Sequence, residues 1–286
     1  QAITTDVATQ NSPSVAVDPL DPNNVVVAYS DFSLLSTGYA GISVAASHNG
    51  GTSWEHRSLT LPFGFEQGAS DPTVSFDGRG RVYISYMAAT FKGNGKPPLL
   101  NPGGGAQRAM GFEANNGIFV SRSDDGGLTW MLPVAVASHV YDGVTQVPFE
   151  IYPDMAVDGV STLPDGQANS NFGNLYVTWA RYYPTGQFPG ETNPLGGSDV
   201  MIAVSGDSGL TWQLRTRTDT NTGFVDSVLR TKDNTGMETS AGLGYLNWSR
   251  IAVGAVGDVA VADFVGGWFV VNHSNDAAAT FFVPTQ

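Results

Sequence analysis

Three carboxylates, a tyrosine and an arginine are the residues of this chain best suited by type and spacing to do chemistry. Asp71 stands in Ser70-Asp71-Pro72. Glu150, Tyr152 and Asp154 share the stretch Phe149-Glu150-Ile151-Tyr152-Pro153-Asp154, and Arg250 follows Trp248-Ser249. Glycoside hydrolysis needs two carboxylates flanking the scissile bond, one protonated as acid and one ionised as base or nucleophile. Asp71, Glu150 and Asp154 offer candidates for that pair with Tyr152 beside them, and Arg250 offers a positive charge to an anionic ligand. The same residues have plainer uses: acids cap strand ends or take turn N–H groups, and one arginine among acids commonly serves a structural ion pair.

Other chemistry is thinly represented. Asp165, Asn169 and Asn171 carry oxygen ligands of the kind a hard cation takes, so calcium is possible, although the spacing matches no EF-hand. His48, His56, His139 and His273 show no His-x-x-x-His spacing, so no metal site is assigned and no cofactor is required. Phe91, Phe112, Tyr182, Tyr183 and Phe188 lie in irregular stretches, where aromatic faces either stack on sugar rings or pack a loop onto the body. Asn247-Trp248-Ser249 and Asn272-His273-Ser274 match the glycosylation sequon.

The elements that must position these residues announce themselves by repetition. Ser47-His-Asn49-Gly-Gly51-Thr-Ser53-Trp54, Ser123-Asp-Asp125-Gly-Gly127-Leu-Thr129-Trp130 and Ser205-Gly-Asp207-Ser-Gly209-Leu-Thr211-Trp212 all read S-x-[DN]-x-G-x-[ST]-W. A weaker fourth copy, Ser274-Asn-Asp276-Ala-Ala278-Ala-Thr280-Phe281, replaces the Gly by Ala and the Trp by Phe. In such a turn the acid or amide and the hydroxyls take backbone N–H groups, the Gly permits positive φ, and the Trp staples the turn to the sheet. One constellation present in every unit cannot be a single active site, so Asn49, Asp125, Asp207 and Asp276 are read as scaffold. Ala278 puts a Cβ where the other copies have none, which predicts a looser or differently shaped fourth turn.

Ahead of each octet the order is the same. Short alternating runs (Ser14 to Val17, Thr73 to Phe76, Met155 to Val157, Ile251 to Val253) lead through a turn to a second strand (Val25 to Tyr29, Val82 to Tyr86, Leu175 to Trp179, Val259 to Ala262). A third strand enters the octet, and residues such as Glu55 to Leu59 and Gln213 to Thr216 leave it as a fourth. Four antiparallel strands per unit, repeated four times, predict an all-β fold: a β-propeller in one domain, its blades near 12–62, 69–138, 150–218 and 248–286. The candidate residues then fall where inner strands begin, around the central channel in which propellers bind ligands.

Composition agrees. The 286 residues are 41% hydrophobic and 14% charged, with 35 Gly and 16 Pro, a balance suited to many tight turns between short strands. The net charge of −13 opposes nucleic-acid phosphates and anionic lipid. The most apolar stretch, Ile251 to Val271, is interrupted by Asp258 and Asp263, so no membrane span is expected. The absence of cysteine excludes disulfides and thiolate chemistry. The start Gln1-Ala2-Ile3-Thr4-Thr5 fits a mature chain whose signal peptide is gone, giving the expectation of a secreted, extracellular or cell-surface protein.

The octets resemble Asp boxes, also called BNR repeats, and from about Asn11 to Phe281 the chain resembles a sialidase-superfamily β-propeller. The resemblance implies outer-turn boxes away from the central site, and six blades rather than four if further sequence exists. A sialidase of this kind is expected to hold its substrate with three arginines, the first in an Arg-Ile-Pro motif, and to use a Tyr–Glu pair with an Asp. Here the matching stretch is Asn11-Ser12-Pro13-Ser14, and no Arg-x-Pro occurs anywhere. Ordinary sialidase activity is therefore not expected. The reading is a glycan- or protein-binding or structural module, with a glycoside hydrolase of atypical site as the alternative. An unclosed ring would point to missing sequence or to a partner chain.

Overall fold

A computed structural model describes residues 3–90, 111–184, 197–215, 249–265, 268–279 and 281. The elements named among them are all strands, arranged in four antiparallel sheets that follow one another in sequence. The first holds β1 (Gln10–Val17), β2 (Val25–Asp31), β3 (Gly41–Ser47) and β4 (Glu55–Ser58). The second holds β5 (Gly68–Phe76), β6 (Val82–Thr90), β7 (Asn115–Ser123) and β8 (Val134–His139). The third holds β9 (Phe149–Val157), β10 (Leu175–Tyr183), β11 (Gly197–Ser205) and β12 (Gln213–Arg215). The fourth has three strands among the described residues, β13 (Arg250–Val253), β14 (Val259–Val265) and β15 (Trp268–Ser274). Each sheet is a meander, and β1, β5, β9 and β13 pack in series along one inner edge. The sheets are the blades of a β-propeller.

The middle strands are buried on both faces, which is why Val25-Val26-Val27-Ala28 and Val82-Tyr83-Ile84 read as unbroken apolar runs rather than alternations. Alternate residues serve different cores. Ile84 joins Val26, Ile42 and Val44 between the first and second blades, whereas its neighbour Tyr83 joins Met155, Val177 and Trp179 between the second and third. Tyr176, Ile202, Ile251 and Val261 form the corresponding core between the third and fourth.

Each octet is the turn at the end of the third strand of its blade, with one hydrogen-bond pattern. The Ser47 hydroxyl donates to Asn49 Oδ1 at 3.0 Å and accepts the Gly51 N–H at 2.8 Å. Ser123 repeats this with Asp125 (2.7 Å) and Gly127 (2.9 Å), and Ser205 with Asp207 (2.8 Å) and Gly209 (2.9 Å). The Asp125 carboxylate also takes the Thr129 N–H and hydroxyl, and Trp130 Nε1 donates to the Gly127 carbonyl. The fourth turn corrects the expectation of a looser shape. Ser274 donates to Asp276 at 2.7 Å and accepts from Ala278 N at 3.0 Å, holding Ala277 and Ala278 at φ 58° and 62°. Each alanine there carries a left-handed penalty of about 1–2 kcal/mol. Burial of the Ala278 methyl in the third core returns about 0.8 kcal/mol.

The octets also wedge blades together. A Cβ on Gly127 would stand 2.9 Å from Val26 Cγ2 and 3.2 Å from Ala46 Cβ, both in the preceding blade, and Gly209 abuts Tyr83 in the same sense. Among the octet glycines, Gly51 of the first blade has only its own Trp54 within 4 Å.

Candidate functional site at the hub

Three inner strands share a defect that the sequence reading missed. In β1, β5 and β9 two residues oppose one on the neighbouring strand: Ser12-Pro13 face Tyr29, Asp71-Pro72 face Tyr86, and Tyr152-Pro153 face Trp179. These are β-bulges, and the proline in each is tolerated because the strand is a sheet edge. The residue before each proline has positive φ: 49° at Ser12, 55° at Asp71 and 58° at Tyr152. Such non-glycine conformations cost about 1–3 kcal/mol each and concentrate at functional sites. The bulge also explains why the inner strands begin earlier than alternation suggested. Gln10–Val17, Gly68–Phe76 and Phe149–Val157 all run through it, whereas the period-2 pattern restarts only after the proline.

The bulges bring side chains from successive blades together. Asp71 Oδ2 accepts from the Ser70 hydroxyl at 2.9 Å, Oδ1 from the Ser12 hydroxyl of the first blade at 3.4 Å, and its N–H reaches Ser30 Oγ at 3.3 Å. Burial pushes the Asp71 carboxyl above the ordinary carboxylate range, opposed by Ser70, Ser12 and the Arg250 charge. Asp154 is likewise raised by burial, opposed by the Ile251 N–H and by Arg250. Arg250 thus acts on two acids from two other blades, and it is exposed, while Asp71, Tyr152 and Asp154 are half-buried.

The five sequence candidates therefore divide. Asp71, Tyr152, Asp154 and Arg250 lie on the inner strands, but Asp154 Oδ2 is engaged by the backbone N–H of Ile251 in the next blade at 3.0 Å. Ser14 Oγ takes the Val74 N–H in the same way at 3.0 Å, which marks this position as a blade-to-blade joint. Glu150 belongs to a different assembly. It has no exposed surface, and it accepts from Trp179 Nε1 (2.5 Å), Arg181 Nε (2.6 Å) and His139 Nε2 (2.7 Å). Its own N–H donates to Asn116 Oδ1 at 2.8 Å. In this arrangement the buried Glu150 is the counter-charge of the half-buried Arg181. Sequence spacing gave no sign of it, because the β9–β10 register that faces Arg181 with Glu150 is a tertiary fact.

Asn49, Asp125, Asp207 and Asp276, with Trp54, Trp130 and Trp212, stay in their separate turns and gather around no common pocket. Burial pushes the Asp125 carboxyl up, but the Thr129, Ser123 and Leu128 donors outweigh it and hold the group below its ordinary value; Asp207 follows the same logic. In the suggested calcium loop, Asp165 Oδ1 takes the Gln167 N–H and Asn169 Oδ1 the Asn171 N–H, so those oxygens serve turns. Among the described residues no three His, Cys, Asp or Glu side chains cluster as metal ligands. Tyr182 and Tyr183 are buried, and the half-buried Phe112 packs against the second core. Asn272 is fully buried, which closes that sequon; Phe91, Phe188 and Asn247 lie outside the described residues.

No protein-family model matches the chain, and no curated protein matches it. Solved structures do. A protein of unknown function from Dyadobacter fermentans is similar over 98% of this chain and 69% of its own, at 18% identity and TM-score 0.56. Leech intramolecular trans-sialidase, in complex with 2,7-anhydro-Neu5Ac, is similar over 100% of this chain and 52% of its own, at 12% identity and TM-score 0.57. Trypanosoma rangeli sialidase, in complex with the inhibitor DANA, is similar over 96% and 38%, at 14% identity and TM-score 0.51. At these identities the likeness is one of fold: the chain has the β-propeller architecture of sialidase-like proteins and spans about half the length of the leech protein and less of the trypanosome one. No helix among the described residues is long and apolar enough to cross a membrane.

Proposed function

We propose that this chain is an Asp-box propeller that binds a neutral or weakly charged glycan at its hub, in an extracellular setting. The observation that carries the reading is the division of the acids. Glu150 is locked to Arg181 and His139, Asp154 is engaged by Ile251, and Asp71 is the half-buried carboxylate left beside hydroxyls and an arginine. A carboxylate, the Ser12 and Ser70 hydroxyls, a phenol and a guanidinium offer the alternating donors and acceptors that sugar hydroxyls take. The glycan-directed ligands of the two sialidase-like neighbours support a sugar as the class. Tight binding of a sialic-acid carboxylate is not part of the proposal, because Asn11 of Asn11-Ser12-Pro13 stands where the resemblance expects the first arginine.

The test is calorimetric or NMR titration of a panel of neutral oligosaccharides and polysaccharides, run beside a release assay on the same panel. Asp71→Asn and Arg250→Gln are each expected to weaken binding about tenfold, the effect of losing one charged hydrogen bond. Turnover by the wild type that vanishes in Asp71→Asn would replace this reading with the hydrolase one. Binding untouched by both variants would remove the hub.

A further inference from the structure

The face that carries the hub also carries an aromatic ring left in solvent. Each sheet is a meander, so its inner strand begins at the face where its second strand finishes and the linker from the previous blade arrives, opposite the octets. Phe63 lies on that face, in the linker from β4 to β5, and among the residues whose side chains are described it is the single exposed aromatic, at 97%. Its backbone is held from three directions. The Phe65 N–H donates to the Pro62 carbonyl at 2.9 Å, closing a tight turn in which Gly64 takes φ 85°. Asn115 Nδ2 donates to the Gly64 carbonyl at 2.9 Å. Phe65 is buried in the first core, its ring edge-on to Phe119 at 5.0 Å between centroids. A glycine, an amide and a core aromatic thus fix the direction of the turn while the ring at its tip packs on nothing, an arrangement that preorganises a contact to a ligand.

We infer that Phe63 is the platform for a distal sugar of the glycan whose nearer unit sits at Asp71, so that the ligand is an oligosaccharide chain laid outward from the hub rather than a single sugar. The inference rests on the hub reading and extends it. Asn115, which holds the turn, heads β7, two strands out from β5, and Asp71 is three residues into β5, so ring and acid stand on the order of 15 Å apart. The half-buried Tyr39 lies at the mouth of β5 on the way, its Cβ 3.1 Å from where a Cβ on Gly68 would be. A sugar ring carries hydroxyls around its edge and C–H groups on its faces. The hub supplies donors and acceptors for the first, and an aromatic face suits the second. The surroundings of Phe63 favour a glycan over a protein partner. Its exposed neighbours in the linker are Thr60 and Glu66, and the exposed valines of the next linker, Val140 and Val144, are set among Asp142 and Thr145. These are single apolar groups in a polar field, not the continuous apolar patch that marks a protein interface.

Calorimetric titration of the whole chain with cello-, xylo- and manno-oligosaccharides, from the monosaccharide to the hexasaccharide, tests this, with Asp71→Asn as the hub control. Wild-type affinity is expected to rise with chain length in the series that binds. Phe63→Ala should weaken the hexasaccharide at least about fivefold and leave the shortest binding member unchanged, and Phe63→Trp should restore the wild-type dependence on length. In proton NMR, C–H signals of the hexasaccharide should move upfield on binding to the wild type and less so with Phe63→Ala, a ring-current effect that a structural role would not produce. The side chain is exposed, so circular dichroism should be the same for all three proteins. Affinity that does not grow with length, or a Phe63→Ala variant equal to the wild type on the hexasaccharide while Asp71→Asn weakens every member, would overturn the inference and leave the hub standing. Binding untouched by Asp71→Asn, or no binding across the three series, would remove the hub and the spanning chain together.

Discussion

Replacing Gly127 by alanine tests the idea that the second octet is a wedge against the preceding blade. The residue has φ 97°, and an added Cβ would meet Val26 Cγ2 at 2.9 Å and Ala46 Cβ at 3.2 Å. The backbone contributes about 1–2 kcal/mol of strain and forced overpacking about 1–3. Reduced freedom of the unfolded chain offsets about 0.4–1 kcal/mol. The net expectation is a loss of about 2–3 kcal/mol, read as a fall in Tm of roughly 5–10 °C. Gly143 supplies the control: its φ is 93° with nothing within 4 Å of a Cβ, so Gly143→Ala keeps the strain, omits the clash and costs about 0.5–1 kcal/mol. Ala278→Gly completes the series. It relieves about 1–2 kcal/mol of strain but forfeits about 0.8 of burial and 0.4–1 of chain entropy, and should come out near zero. Urea and thermal unfolding of the three variants measure the differences. If Gly127→Ala is no worse than Gly143→Ala, the octet is a surface turn and the wedge is wrong.

Two further perturbations separate the hub from the buried cluster. Asp71 has a raised folded-state pKa, so its stabilising contribution is complete below the unfolded value and is lost as pH rises through the folded one. Asp71→Asn should therefore gain stability relative to wild type between about pH 3 and pH 7, measured by urea melts across that range, and a flat or shrinking difference would contradict the burial assigned to it. Asp125 and Asp207 act in the opposite direction, contributing above the unfolded value and losing that contribution as pH falls through their lowered ones. Glu150→Gln leaves the half-buried Arg181 beside a neutral amide and should cost about 3 kcal/mol in urea unfolding, with the glycan affinity of the folded fraction retained. A negligible loss would mean that the four-residue cluster does not form.

Much of the architecture was legible because it is written locally and repeatedly. The serine, acid, glycine and tryptophan of each octet satisfy one another within eight residues, so their spacing alone gives the turn, and the turns give the blades. The same locality made the fourth copy misleading. Ala278 predicts a different shape by conformational preference, yet the Ser274 and Asp276 hydrogen bonds and burial in the third core impose the glycine geometry on an alanine. The inner-strand bulges were half legible: a proline recurs in Ser12-Pro13, Asp71-Pro72 and Tyr152-Pro153, but only strand register shows that two residues there oppose one.

What the amino-acid order determined by itself was the all-β class, the blade count within the chain and where each inner strand ends in its turn, since these depend on period, turn chemistry and short-range hydrogen bonding. Tertiary structure alone decided the fate of the charges. Asp71, Asp154 and Arg250 are brought into one field from three blades, while Glu150, only four residues from Asp154, points into a buried pocket with Trp179 and Arg181. Side chains two residues apart on a strand share a face, but a bulge shifts that parity by one, and where a carboxylate ends up then depends on which neighbouring strand supplies its partner.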